Sequence, residues 1–307
     1  MNYSNEFINN LIEDEISFCH NLRAKYHYPD NIIHLLYIII PAFILKYGLN
    51  NRKIIEECFM NIQIIIDDKQ DKVYQAYYFS LPRYVNGQLI TQKNIVLNNY
   101  QNIGLMQLLD NLVHEFNHAI NSYQNEIKIN DFVLIRTGLV YNYFDKKSLT
   151  FIKKGIEITL EEVINTKQTE KVIDIIKSFS TYSINNTTIT STLYSIYHSI
   201  KSNYHSNSYL LESYFCKNLL ENRTFLSTVE SLRLEGNIDD IEYFFNSVLD
   251  DDKAFTTLSI SLNKSLKLQK ELINTKWLRK YKLYKIKKLN DEIKKIVDKF
   301  NENTIFK

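Results

Sequence analysis

Glycine and proline are scarce in this sequence, with six glycines and three prolines among 307 residues. Both residues end helices and build tight turns, so a chain this poor in them is expected to form long helices joined by few turns. Disorder is excluded, because 45% of the residues are hydrophobic and 13% are aromatic, which is ample for a sizeable core. The length allows one large domain or two intimate ones.

Cysteine is also scarce. Cys19, Cys58 and Cys216 are far apart and odd in number, and no C-x-x-C pair occurs. The sequence therefore predicts reduced, buried thiols and neither a disulfide framework nor a thiolate metal site. The first thirty residues lack a basic region followed by an apolar one, so no secretory signal is predicted.

One long apolar run, residues 32–49, contains both Pro41 and Lys46. Its eighteen residues lie at the lower limit for crossing a hydrocarbon core. We interpret the run as a buried helix pair broken at Pro41, with membrane association as the alternative. A cytoplasmic protein is therefore predicted.

Hydrophobic periodicity divides the chain into a mixed first half and a helical second half. Helices are predicted over 5–25 and 50–59, and strands over 62–66, 73–79 and 94–97, with a hairpin at Asn86-Gly87. A second strand pair is predicted over 132–136 and 139–144. Later helices are predicted over 160–178, 190–201, 207–220, 224–234, 239–249, 253–273 and 277–300. We expect an α+β fold, with an N-terminal α/β subdomain over 1–150 and a helical subdomain over 151–307.

The residues that carry chemistry lie in a helix predicted over 103–123, whose centre reads His114-Glu115-Phe116-Asn117-His118. Residues four apart share one face of a helix, so both imidazoles can reach a single ion. Glu115 stands where its carboxylate can take a proton from a bound water. Chance would place this pattern in on the order of one in a hundred such chains. The alternative is an amphipathic helix whose two histidines belong to the core.

A catalytic zinc site needs a third protein ligand, with water in the fourth position. The extended H-E-x-x-H-x-x-G-x-x-H pattern fails, since Asn121 and Gln124 stand where its glycine and third histidine would be. The ligand must therefore come from farther along the chain. The best candidate is the phrase Leu160-Glu161-Glu162-Val163 at the start of a predicted helix.

With the H-E-x-x-H motif and this Leu-Glu-Glu-Val motif, the sequence resembles the zincin metallopeptidases, specifically the gluzincin branch, over roughly residues 94–170. In that branch a glutamate on a second helix, often in an L-N-E-G or L-E-E-G phrase, completes a His/His/Glu site. The resemblance implies a zincin-like fold, with a small mixed β-sheet and an active-site helix followed by a mostly helical C-terminal half. It also implies a Zn²⁺ ion held by His114, His118 and Glu162, with Glu161 as the alternative third ligand.

The activity that the resemblance implies is zinc-dependent hydrolysis of peptide bonds, with Glu115 as the general base on a zinc-activated water. The strand at 94–97 is expected to border the cleft and to take the peptide or protein substrate as an extra strand. The chain departs from the short-spaced members of the branch, because 44 positions separate His118 from Glu162. Their usual carboxylate four residues after the ligand is Thr166 here, so Asn165 or Thr166 could instead hydrogen-bond a histidine.

Peptide hydrolysis at zinc usually uses a second electrophile from tyrosine or histidine. Tyr209 is our candidate, with His205 as the alternative, because both lie near a helix start that Asn207 and Ser208 can cap. Arg136 could bind a substrate carboxylate, although a structural pair with an acidic residue is the preferred interpretation.

Charge is concentrated near the C-terminus. Between Lys264 and Lys299 there are thirteen Lys or Arg against four acidic residues, a net charge of +9 that leaves −7 for the rest of the chain. We predict a solvated helix face there and no nucleic-acid partner, with peripheral contact to an anionic membrane as the alternative.

Two alternatives to a soluble peptidase stay open. One is a catalytically inactive zincin-like module that binds a protein or peptide, and the other is a peptidase attached to a membrane through 32–49 and the basic helices.

Overall fold

The structure is a computed structural model that describes residues 3–67, 75–122, 126–129, 131–153, 155, 157–201, 216–235, 238–274 and 278–305. The fold is α+β, as predicted. The chain forms two compact units, Met1–Ile120 with Gln168–Ser206 and Asn121–Lys167 with Asn207–Lys307. This division differs from the expected one at residue 150, because the second sheet belongs with the C-terminal helices and 168–206 belongs with the N-terminal part.

The first unit begins with three helices, α1 (Asn5–Tyr26), α2 (Asp30–Tyr47) and α3 (Arg52–Asn61). The predicted break at Pro41 is wrong, because α2 is one continuous helix. Thirteen of its eighteen residues are buried, and this packing holds the helix together despite the hydrogen bond that Pro41 cannot donate. By length and composition α2 is the one helix of the described residues that could cross a membrane, but 72% of it is buried inside the protein.

A three-stranded sheet follows, formed by β1 (Ile62–Asp67), β2 (Ala76–Val85) and β3 (Gln88–Asn98) in the order β1-β3-β2. The predicted hairpin between β2 and β3 is confirmed, since Asn86 and Gly87 both have positive φ, as the type I′ turn requires. β3 is the central strand, parallel to β1 and antiparallel to β2. The expectation that residues 94–97 take a substrate strand is therefore wrong, because both edges of that segment are already paired.

The helix α4 (Leu105–Ile120) comes next and carries the H-E-x-x-H motif. The first unit is completed by the second half of α5 (Ile158–Phe179) and by α6 (Thr187–Lys201). Cys19 and Cys58 of this unit and Cys216 of the other are buried and not in disulfides, as predicted, and burial raises the pKa of Cys58 to about 12.

The second unit contains an antiparallel sheet in the order β4-β5-β6-β7. Its two central strands were predicted and its two outer strands were not; the four are β4 (Glu126–Ile129), β5 (Phe132–Thr137), β6 (Val140–Asp145) and β7 (Thr150–Lys153). Among the described residues from 216 onward, the helices are α7 (Lys217–Glu221), α8 (Arg223–Glu235), α9 (Ile238–Leu249), α10 (Ala254–Asn274) and α11 (Arg279–Ile305). Their core contains interlocking phenylalanine rings, among them Phe225, Phe245 and Phe300.

Candidate metal centre

The H-E-x-x-H residues lie within α4, as the sequence predicted. The helix begins where the carbonyl of Gly104 accepts the first helical hydrogen bond, from Leu108 N at 2.9 Å. His118 and Glu115 are 4% and 7% exposed, and His114 is half-buried. The two imidazole rings are neighbours on one helix face, with centroids 5.0 Å apart.

Glu162 lies in the first turns of α5, a single helix whose later residues belong to the same unit as α4. There Asn117 Nδ2 donates to Thr169 Oγ1 at 3.2 Å, which fixes α5 against α4. Residues seven apart lie on nearly the same helix face, so Glu162 points the same way as Thr169. One ligand atom each from His114, His118 and Glu162 lie within 4.8 Å of one another. The structure thus brings together the three residues predicted as ligands.

The neighbouring Glu161 is used differently. The residue is 1% exposed, its Oε2 accepts from Leu139 N at 2.7 Å, and its Oε1 is paired with the guanidinium of Arg233. Gly138 makes this arrangement possible, because a Cβ at that position would collide with the Glu161 carboxylate. Gly138 also has φ +56, a conformation that side chains disfavour. Of the two adjacent glutamates, Glu162 is the one that faces the histidines.

Arg136 supports the same buried cluster. Its Nε donates to the carbonyl of Asn121 at 3.1 Å and its Nη2 to the carbonyl of Arg233, while its side chain is 1% exposed. Burial lowers the pKa of Arg136 to about 10. The structural interpretation of Arg136 fits this position: Arg136 binds backbone carbonyls, and the charge of Glu161, which pairs with Arg233, also acts favourably on it.

Glu115 is bound to the edge of the first sheet. Its Oε2 accepts from Tyr78 N at 2.7 Å. The N–H of Tyr78 points to α4 and not to β3. Since backbone groups alternate in direction along an antiparallel strand, every second residue of β2, counted from Tyr78, presents its backbone groups at the sheet edge. Pro82, which has no N–H, falls on that side, as edge strands allow. The candidate base therefore lies beside an edge strand, a contact that the sequence pattern did not indicate.

Asn117, inside the motif, is fully buried and joins three helices. Its Oδ1 accepts from Lys46 Nζ at 3.1 Å and from the Tyr47 hydroxyl at 3.4 Å, both at the end of α2, while its amide nitrogen binds Thr169. Sequence reasoning missed this role. A polar residue within an apolar stretch of α4 was the only signal that could have indicated it.

Some predicted residues are placed elsewhere or not described. Tyr209 and His205 lie outside the residues that the structure describes. The Thr166 hydroxyl donates to the carbonyl of Glu162 at 2.8 Å, so it binds within its own helix. Asn165 is fully buried on the same helix.

Two imidazoles and one carboxylate are the donor set of catalytic zinc sites. Of the three candidate ligands, His114 and Glu162 are half-buried and His118 is buried. Comparisons with protein-family models, with curated proteins and with solved structures find no match to this chain.

Proposed function

We propose that this chain is a zinc-dependent metallopeptidase with a zincin-like fold of the gluzincin type. In this proposal His114, His118 and Glu162 hold Zn²⁺, and Glu115 is the general base. The main supporting observation is that three residues of the types that bind zinc lie close together at a half-buried site, although Glu162 is 44 positions from His118 in the sequence.

Bound zinc supplies Lewis acidity, which polarises a carbonyl and lowers the pKa of a water. The chain's own residues supply the rest of the chemistry. Glu115 accepts a proton on its carboxylate and returns it to the leaving amine. The hydrogen bond from Tyr78 N holds that carboxylate in one orientation, so less freedom is lost when a substrate binds.

A peptide substrate is supported by the position of β2. Apart from Tyr78 N–H, which binds Glu115, its outer backbone groups stand at the sheet edge, where an extended peptide can pair with them. Main-chain pairing selects for peptide backbone and leaves side-chain preference to the surrounding pockets. A β2 edge residue, and not the central strand β3, would therefore contact the substrate.

The second candidate function is a catalytically inactive module that binds a protein or peptide in the same cleft. One observation favours it: the buried Glu115 carboxylate already has a structural partner in Tyr78 N. A glutamate retained for that bond alone needs no metal and no proton transfer.

Two substitutions at Glu115 separate these functions. In Glu115→Gln the amide oxygen can still accept from Tyr78 N, but the side chain can no longer act as a base. Glu115→Ala removes both abilities. We expect both variants to lose peptidase activity by about 100-fold or more, while only the alanine variant loses stability.

The measurements are peptide hydrolysis, zinc content of protein purified without a metal-binding tag, and thermal unfolding. Stoichiometric zinc in the parent and in Glu115→Gln, with activity only in the parent, supports the peptidase. An active Glu115→Gln variant excludes Glu115 as the base. A parent that folds, binds no zinc and cleaves no peptide is the inactive module.

A further inference from the structure

The second unit has an acidic segment before α10 and a basic segment from Lys264 to Lys288. Residues 238–252 contain six acidic residues and no basic one, and they end where α10 begins. Between Lys264 and Lys288 the sequence has ten Lys or Arg and a single acidic residue, Glu271. The 21 residues of α10 span roughly 30 Å, so the two charged regions are far apart.

The basic residues in the second half of α10 and in the first turns of α11 lie at one end of a helical hairpin, while Lys294, Lys295 and Lys299 lie toward its other end. The helices run antiparallel, since Ser261 bonds Glu292 at 2.9 Å and Lys282 pairs with Glu271 at 3.1 Å. The second half of α10 is therefore beside the first turns of α11. We call the exposed part of this end, residues 278–288 of the chain, the basic tip.

The basic tip also exposes apolar side chains. Four large residues within seven positions are each at least 50% exposed: Leu278, Tyr281, Leu283 and Tyr284. Only Ile286 of this stretch is buried. A solvated helix face requires charged residues but gains nothing from exposing leucines and tyrosines together, so this combination indicates a surface that binds something.

We propose that the basic tip docks the protein on an anionic lipid surface. Lysines attract the negative headgroups, while Leu283 and Tyr284 enter the boundary between headgroups and acyl chains. Tyrosine is typical of that boundary. The acidic region at the far end of α10 is repelled, so the charge separation turns the basic tip toward the membrane.

Nucleic acid is the competing anionic partner, and the side chains argue against it. Single-stranded nucleic acid is bound by open aromatic faces on which bases stack. Lys285 Nζ lies 4.5 Å from the ring centre of Tyr281, which covers one face of that ring. The exposed leucines offer neither a hydrogen bond nor a stacking surface.

The test uses the full-length protein and sedimentation with phosphatidylcholine vesicles, with and without phosphatidylserine. We expect binding only when phosphatidylserine is present, and weaker binding as salt is raised. Replacing Lys280, Lys287 and Lys288 with Gln should weaken binding about 100-fold. The matched control replaces the exposed Lys53, Lys147 and Lys217, which removes the same charge elsewhere and should leave binding unchanged.

A second variant, Leu283→Ser with Tyr284→Ser, keeps the charge and should weaken vesicle binding at least tenfold. Absence of binding to phosphatidylserine vesicles, equal binding to both vesicle types, or equal loss in the control overturns the proposal. So does binding to RNA or DNA that displaces the vesicles while the Leu283 and Tyr284 substitutions have no effect. None of these outcomes depends on metal or peptidase activity.

Discussion

Two adjacent glutamates at the start of α5 have different surroundings, since Glu161 is paired with Arg233 and Glu162 lies near His114 and His118. Sequence placed both off the charged side of a predicted helix, and the phrase around them favoured Glu162 as the ligand without excluding Glu161. The structure separates them through residues that no local pattern connects: Arg233 lies 72 positions from Glu161, and Gly138 provides the space that its carboxylate fills. Long-range pairs of this kind are not encoded in helical periodicity.

Substituting each glutamate by glutamine should give opposite results. Glu162→Gln should lower zinc affinity more than about 100-fold with little change in unfolding free energy, because Glu162 is half-buried. Glu161→Gln should lower the unfolding free energy by roughly 3 kcal/mol, because it leaves the buried Arg233 charge without its partner. Zinc titration and denaturant unfolding check both, and equal loss of stability in the two variants contradicts the assignment.

Gly138→Ala tests the space beside Glu161. The new Cβ collides with the carboxylate, and the positive φ adds strain, so we expect a loss of roughly 2 kcal/mol or more in unfolding free energy. Gly87→Ala is the matched control, since Gly87 has φ +78 but no atom within 4 Å of the added Cβ. If the two variants lose the same stability, strain alone is at work and the steric argument fails.

At the scale of elements, periodicity predicted the described helices well because their apolar faces are long and continuous. Most of the helix predicted over 207–220 lies outside the described residues. The hairpin between β2 and β3 followed from Asn86-Gly87 alone. The strands β4 and β7 were missed, since each has only four residues and depends on its neighbour in the sheet. Pro41 misled the prediction because the surrounding packing outweighed the local cost of one hydrogen bond.

The contact between α4 and α5 gives a prediction at this scale. Thr169→Val keeps the shape of the side chain but removes the acceptor for Asn117 Nδ2, so α5 is held less firmly. We expect a loss of about 1–3 kcal/mol in stability and a 10- to 100-fold weaker zinc affinity, about the effect of other groups that orient ligands. Thr192→Val is the control, because that hydroxyl bonds only locally, to the carbonyl of Thr188 at 2.9 Å, and zinc affinity should not change.

At the scale of the whole molecule, the sequence predicted the α+β class but not the interleaving of the two units. Local patterns contain no information about which sheet packs with which helices. The acidic and basic segments could be found by counting charged residues in the sequence, whereas the exposure of the leucines and tyrosines of the basic tip could be seen only in the structure.

Stability should also depend on pH through Glu15. Its side chain is buried, and its Oε1 lies 2.7 Å from Arg52 Nη2. Burial raises the pKa of Glu15 from 4.5 to about 7. The folded state therefore holds this proton more tightly than the unfolded state, so stability is highest below pH 4.5 for this group and falls as pH rises through 7. Glu15→Gln should remove a fall of up to about 3 kcal/mol between these limits.

Denaturant unfolding at a series of pH values measures this effect. Glu13→Gln, an exposed substitution on the same helix, should leave the pH dependence as it is in the parent. A Glu15→Gln profile that follows the parent through the whole range would show that Glu15 does not titrate in this window.

The bond between Asn117 and Thr169 has a consequence in terms of chain entropy. This bond already holds together the two ends of the chain segment between α4 and α5. Bringing together the ends of a flexible segment of this length costs several kcal/mol of chain entropy. An ion that joins His118 to Glu162 closes nearly the same loop, so most of that entropy is lost before the ion arrives. Unlike a zinc finger, which folds only around its metal, a chain that holds zinc at this site as proposed should therefore keep α4 and α5 together when a chelator removes the ion.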